Sequence, residues 1–174
     1  DGFKIFGPDI NESLGDFTVV EDKEIRFGLS AVKNVGEGAV NAIITARREK
    51  GKFISIFDFC EKVDIGQVNK KALESLIKVG ALDSLGGHRA QLLAVYELAA
   101  ERGARLQRER ASKQRSLFDL VGDEGISIRD KEPELPPLPE LSKEDLLDME
   151  RELLGIYVSG HPLDGMRELL EAFT

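Results

Sequence analysis

Seven consecutive residues, Val32-Lys-Asn-Val-Gly-Glu-Gly38, have the composition of a small anion cradle. Val32, Val35, Ala39, Ala42, Ile43 and Ala46 recur at helical spacing. They predict a short helix, a tight turn ending in Gly36, and a second helix starting near Glu37. A helix start leaves N–H groups without intrahelical partners, and the helix dipole favours an anion beside them. Lys33 adds positive charge there, and Asn34 tolerates the left-handed backbone that a tight turn asks for. Gly36 and Gly38 carry no Cβ, so backbone and ligand could approach closely. Lys33, Asn34, Val35, Gly36, Glu37 and Gly38 are therefore candidate contacts to phosphate. Such contacts hold a nucleic-acid backbone without reading its sequence.

A looser copy follows. Asn69 reads as the N-cap of a helix ending at Val79, Gly80 as its C′ glycine, and Ala81–Gly87 as the turn into a long helix from His88 to about Arg110. Leu73, Leu76, Ile77, Leu82, Leu92, Leu93, Val95, Tyr96 and Leu98 supply the apolar faces that close it. Val79, Gly80 and Ala81 are its candidate phosphate contacts. The Gly-x-Gly spacing of the first turn is missing, so the second hairpin reads as a packing partner before a binder.

The remaining elements frame these two. Phe17–Val20 and Glu24–Phe27 are strand-like, with a turn at Glu21–Lys23. A short helix near Ile56–Val63 has Ser55 as its cap. Pro133, Pro136, Pro137 and Pro139 break regular structure in 111–141. Ser142 starts another helix, running to about Leu154. Gly155–Ser159 is a short extended piece, and His161-Pro-Leu-Asp164 begins a last helix. The fold class is mainly α. A β-hairpin entry segment spans 1–27, a tandem hairpin module 28–110, a flexible linker 111–141, and C-terminal helices 142–174.

Inside that linker lies Gln114-Arg-Ser-Leu-Phe118. Leu117 and Phe118 are adjacent large apolar groups with no periodicity around them, as in a docking peptide. The order Gln-x-x-Leu-Phe matches the peptide of clamp-binding proteins. Leu117 and Phe118 would fill an apolar pocket, Gln114 would fix orientation at its rim, and Ser116 would add a small polar contact. The alternative is that Phe118 and Leu120 pack back on the long helix.

Composition sets bounds. The chain has 174 residues, 41% hydrophobic and 32% charged, as in soluble globular proteins. No apolar run reaches the ~18 residues of a membrane span, and no signal-peptide pattern appears. The single Cys60 excludes an intrachain disulfide and a cysteine zinc cluster, and reads as a small buried hydrophobe. His88 and His161 are isolated, so no metal site is expected. Asp9, Asp16 and Asp22 sit at turns, with nothing to pair them for two-metal catalysis. The net charge of −8 lies in Asp119–Glu152, which holds twelve acidic and four basic residues. Ser30–Arg110 instead holds fourteen basic and ten acidic residues. Arg102, Arg105, Arg108, Arg110, Lys113 and Arg115 form a basic run that is either a solvated helix face or a phosphate contact.

Several stretches together resemble one family. They are Pro8-Asp-Ile-Asn-Glu-Ser13, Ile25–Gly36, Phe57-Asp-Phe-Cys60, Asn69–Ser84 and Glu152–Asp164. The resemblance is to the bacterial replicative DNA polymerase III alpha subunit, in the region between the fingers and an OB-fold. There the family carries tandem helix-hairpin-helix motifs that grip duplex DNA, and it binds the sliding clamp. The usual hairpin of that motif is apolar-Pro-Gly-apolar-Gly; here Lys33 replaces Pro and Asn34 the first Gly. The resemblance implies double-stranded DNA, the sliding clamp and the other domains and subunits of the holoenzyme as partners, and a cytoplasmic location. It implies that the parent polymerase is a nucleotidyltransferase whose catalytic carboxylates and Mg2+ lie elsewhere. This segment is then expected to hold no catalytic residue, cofactor or metal. Two rivals remain: a structural spacer between fingers and OB-fold, and a segment that helps form the nucleotide-binding surface.

Overall fold

The computed structural model describes residues 4–119 and 131–154. Three short strands come first: β1 (Lys4–Phe6), β2 (Thr18–Glu21) and β3 (Glu24–Arg26). β2 and β3 are the expected hairpin, antiparallel with Val19 opposite Ile25, and Lys23 takes a positive φ of 64° in the turn. β1 was not foreseen. It pairs in parallel with β3, Ile5 opposite Ile25, and makes the order β1-β3-β2. Three residues are too few to show a period of two.

Five α-helices follow among the described residues: α1 (Glu37–Lys50), α2 (Ile56–Lys62), α3 (Lys70–Lys78), α4 (Arg89–Asp119) and α5 (Lys143–Leu154). The expected caps are in place. Ser55 Oγ accepts from the Asp58 N–H at 2.9 Å, Asn69 Oδ1 from Ala72 at 2.8 Å, and Ser142 Oγ from Asp145 at 3.1 Å. Each satisfies a donor of a first turn, worth about 1 kcal/mol. Gly80 ends α3 with φ of 88°, a conformation that strains any residue with a Cβ.

One core joins these helices. Ile43, Phe59, Leu73, Leu76, Ile77, Leu82 and Leu92 are among its fully buried side chains. Cys60 lies among them, and burial pushes its thiol up to about 12, so it is an inert hydrophobe as expected. The N-terminal segment is stitched on by hydrogen bonds. Asn11 brackets Phe53 at both its N–H and C=O, Ser13 Oγ donates to Phe27 O at 2.6 Å, and Arg47 donates to Ile10 O at 2.7 Å.

α4 differs from expectation. It continues through 111–119 rather than ending near Arg110. Ala111–Arg115 contains good helix formers, and no Gly or Pro intervenes before Gly122, so nothing stops the helix. Residues 131–141 have no regular structure, yet they are docked. Glu132 accepts from Ser55 Oγ at 2.9 Å, and Pro136 O accepts from Gln91 at 2.8 Å. Leu135 packs where a Cβ on Gly87 would stand, 2.5 Å away. The readings of 155–164 and of the last helix lie outside the described residues.

α2 and α4 cross so closely that a Cβ on Gly103 would stand 2.3 Å from Cys60 O. Gly103→Ala should therefore lower stability by about 1–3 kcal/mol, against the ~1 kcal/mol helix-propensity gain at an unconstrained site. Urea unfolding checks this; a variant at least as stable as the parent would show that the helices can part freely.

Candidate nucleic-acid interface

Only one turn of 3₁₀ helix, Leu29–Ala31, precedes the first hairpin turn. Leu29 and Val32 anchor it in the core. Asn34 then takes φ of 72°, the left-handed conformation expected of it. Its side-chain amide donates to Ser75 Oγ on α3 at 3.0 Å, which locks the turn to the second hairpin. Val35 is buried, and its N–H donates to Val32 O at 3.3 Å. Val35 thus holds the turn rather than offering a donor. The Lys33 N–H donates to Leu153 O, the end of α5, at 3.0 Å.

Beyond this brace the rim is open. Lys33, Gly36, Glu37 and Gly38 are exposed, and Lys33 makes no ion pair among the described residues. Gly36 is the N-cap of α1 and no side chain caps the helix, so the first-turn N–H groups keep their outward direction. The φ of Gly36 is −83°, which any residue adopts, and a Cβ there would meet nothing within 4 Å. Its lack of a side chain leaves open space at the helix start. At Gly38 a Cβ would stand 2.9 Å from Gln67 Oε1, the end of a flexible side chain.

The second turn is built differently. The N–H groups of Val79, Gly80 and Ala81 donate to Ser75 O, Ile77 O and Leu76 O at 3.1, 3.0 and 2.9 Å. Val79 and Ala81 are buried. None of the three presents a free backbone donor. The start of α4 is also occupied. Glu140 reaches back from the docked strap, residues 131–141, and accepts from Arg89 N–H and Ala90 N–H, both at 3.1 Å. A carboxylate of the chain itself stands where an anion would sit. Sequence reasoning missed Glu140, because a contact fifty residues away leaves no local pattern.

Arg89 Nη1 meets Glu150 at 2.8 Å, and Nη2 meets Asp83 at 3.0 Å; Arg89 and Glu150 are buried. Burial alone would lower the Arg89 pKa, but Asp83 and Glu150 outweigh it and the net direction is up.

Gln114–Phe118 lies in the last turns of α4, not in an irregular linker. Gln114 is exposed; the side chains of Ser116, Leu117 and Phe118 lie outside the described residues. In the basic run, Arg110 pairs with Glu61 at 2.7 Å and Arg105 with Glu109 at 3.5 Å. Among the described residues no group of three or more His, Cys, Asp or Glu side chains could hold a metal, and no helix is long and apolar enough to cross a membrane.

These two hairpins have a counterpart among known proteins. A helix-hairpin-helix motif family matches residues 2–92, and the chain belongs to that family. Nearly the whole chain is also similar to DNA polymerase III subunit alpha. The protein from Saccharopolyspora erythraea is 43% identical over 99% of this chain. Those from Vibrio cholerae and Escherichia coli K12 are each 38% identical over 99% of it. The chain spans about 14–15% of the length of these relatives.

Glu140 gives the strap a pH dependence. Burial works against its charge, but the N–H groups of Leu141, Ala90 and Arg89, with His88 nearby, outweigh it and hold its pKa down. A carboxylate whose pKa falls on folding stabilises above its unfolded pKa. That contribution disappears as the pH falls through the folded value. Amide protection factors at Arg89 and Ala90 should drop once the pH falls below the ordinary glutamate range, and in Glu140→Gln at neutral pH. Equal protection in the Gln variant and the parent would show that the carboxylate does not hold the helix start.

Proposed function

We propose that this chain acts as the corresponding stretch of a DNA polymerase III alpha subunit, holding duplex DNA by its backbone during replication. The observation that carries this is the uncapped, exposed start of α1, with Gly36 and Gly38 beside Lys33. Its free N–H groups and dipole favour a phosphate. The family match over both hairpins and the polymerase relatives support the same reading. In this reading Lys33, Asn34, Gly36, Glu37 and Gly38 form the contact edge, and Val35 sets its shape. The second hairpin, Val79–Ala81, braces the first through Ser75 and Asn34. The parent subunit would polymerise DNA in the cytoplasm with catalytic residues and Mg2+ outside this stretch.

Affinity for duplex should not depend on base sequence and should fall steeply with salt. Gly36→Val fills open space, so it should leave the fold intact while removing most of the affinity. Circular dichroism and fluorescence anisotropy at two salt concentrations check both halves. Unchanged duplex affinity in the folded variant would falsify the hairpin contact and favour a spacer role.

The clamp is the second partner we propose, through Gln114, Ser116, Leu117 and Phe118. Support comes from the order Gln-x-x-Leu-Phe and the exposure of Gln114 at the end of a long helix. Buried apolar anchors dominate such small interfaces, at about 2 kcal/mol or more each. Gln114→Ala should weaken clamp binding, and Leu117→Ala with Phe118→Ala should abolish it at nearly unchanged melting temperature. A double variant that melts many degrees lower yet still binds the clamp would make these residues core rather than anchor.

A further inference from the structure

The first hairpin turn carries a tie that its own sequence neighbourhood does not supply. Lys33 is exposed at the rim, yet its backbone N–H donates to Leu153 O at 3.0 Å, on a helix that comes long after it in the chain. Leu153 O is among the last carbonyls of α5, which have no partner inside the helix. Turn and helix end therefore satisfy each other. We infer that α5 is a positioning element of the DNA edge, with Leu153 and Glu150 as its positioning residues.

Two buried residues hold α5 in place. The Glu150 carboxylate accepts from Arg89 Nη1 at 2.8 Å, and the same nitrogen reaches Lys78 O at the end of α3 at 3.2 Å. Leu153, on the next turn of the helix, packs into the core beside the point where its own carbonyl meets Lys33. The first turn is thus held from two sides. On one side α3 takes the Asn34 amide through Ser75 Oγ at 3.0 Å, and on the other α5 takes the Lys33 N–H. Asn34 stands between them at φ of 72°, a conformation that persists because its surroundings determine it. The start of α1 follows within three residues, at Glu37. A tilt of the turn therefore re-aims the first N–H groups of α1 and the Lys33 side chain together. Hydrogen bonds weaken steeply as their angle closes, so a phosphate held there would feel a small tilt. The DNA edge is accordingly not complete within 28–110, the stretch that holds both hairpins. It needs a helix beyond that stretch, which acts through Lys33 without touching DNA itself.

This role of α5 rests on the reading that the start of α1 holds duplex DNA, and the two can fail separately. The 174-residue chain would be titrated with a mixed-sequence duplex as the parent and as Leu153→Ala, Leu153→Met, Glu150→Gln and Gly36→Val. Leu153→Ala and Glu150→Gln should each weaken binding by about fivefold or more, while the volume-conserving Leu153→Met should keep it. Glu150→Gln is the sharper of the two. Removing a carboxylate ordinarily strengthens binding to a polyanion, so a loss there reports geometry rather than charge. If α5 acts through the turn, Leu153→Ala added to Gly36→Val should cost little more than Gly36→Val alone. Losses that simply multiply overturn the positioning role and leave the hairpin contact. So do α5 variants that melt lower but bind duplex as the parent does. Gly36→Val without effect, with the α5 variants still weakened, overturns both. If the α5 variants do not fold, the parent chain decides. Coupling is reciprocal, so saturating duplex should slow amide exchange along α5, which lies outside the contact. Exchange along α5 unchanged by duplex, with the first turn of α1 protected, overturns the positioning role.

Discussion

The Arg89 guanidinium is the junction on which the C-terminal half of the structure depends. It stands at the start of α4 and reaches three places at once: Asp83 in the second turn, Lys78 O at the end of α3, and Glu150 on α5. A buried Arg with one missing partner would leave an uncompensated charge, which costs about 3–5 kcal/mol. Both carboxylates are therefore obliged to stay. Glu150 places α5, and α5 ends with Leu153 O against the Lys33 N–H. Through that chain of contacts a residue of the second hairpin fixes one edge of the first turn.

The two hairpins share a design and differ in their unsatisfied groups. In the first, the turn is braced from behind by Asn34, Val35 and Lys33 N–H, and the helix start is left open. In the second, the turn N–H groups bond inward and Glu140 occupies the helix start. An anion site that a protein fills with its own carboxylate gains stability and loses its vacancy for ligand. The difference between the two turns thus lies in hydrogen-bond accounting rather than in the resemblance of the two sequences.

Much of this was legible in the chain, because the legible parts are local. Ser55, Asn69 and Ser142 cap helices within three residues of themselves, Gly80 stops α3 by its own backbone, and Asn34 takes the left-handed conformation its side chain permits. The illegible parts are long-range or short of a period. β1 is too brief to show alternation, and Glu140 acts across fifty residues. The end of α4 was misplaced for another reason. A charged, polar run resembles a linker in composition, but helix propensity with no breaker carries the helix on to Asp119.

That longer helix changes what the segment Gln114–Phe118 can be. A peptide in an irregular linker would dock extended and lose its freedom on binding, whereas the end of α4 already has its backbone in order. Helix ends open locally at low cost, since the last turn lacks carbonyl partners. Leu92, Val95, Ala99 and Ala100 hold the other end of the same helix in the core, so a contact made at its last turn is separate from that packing. In the proposed reading, the second hairpin that braces the DNA contact and the candidate clamp segment thus share one helix, α4, whose start is held in the core.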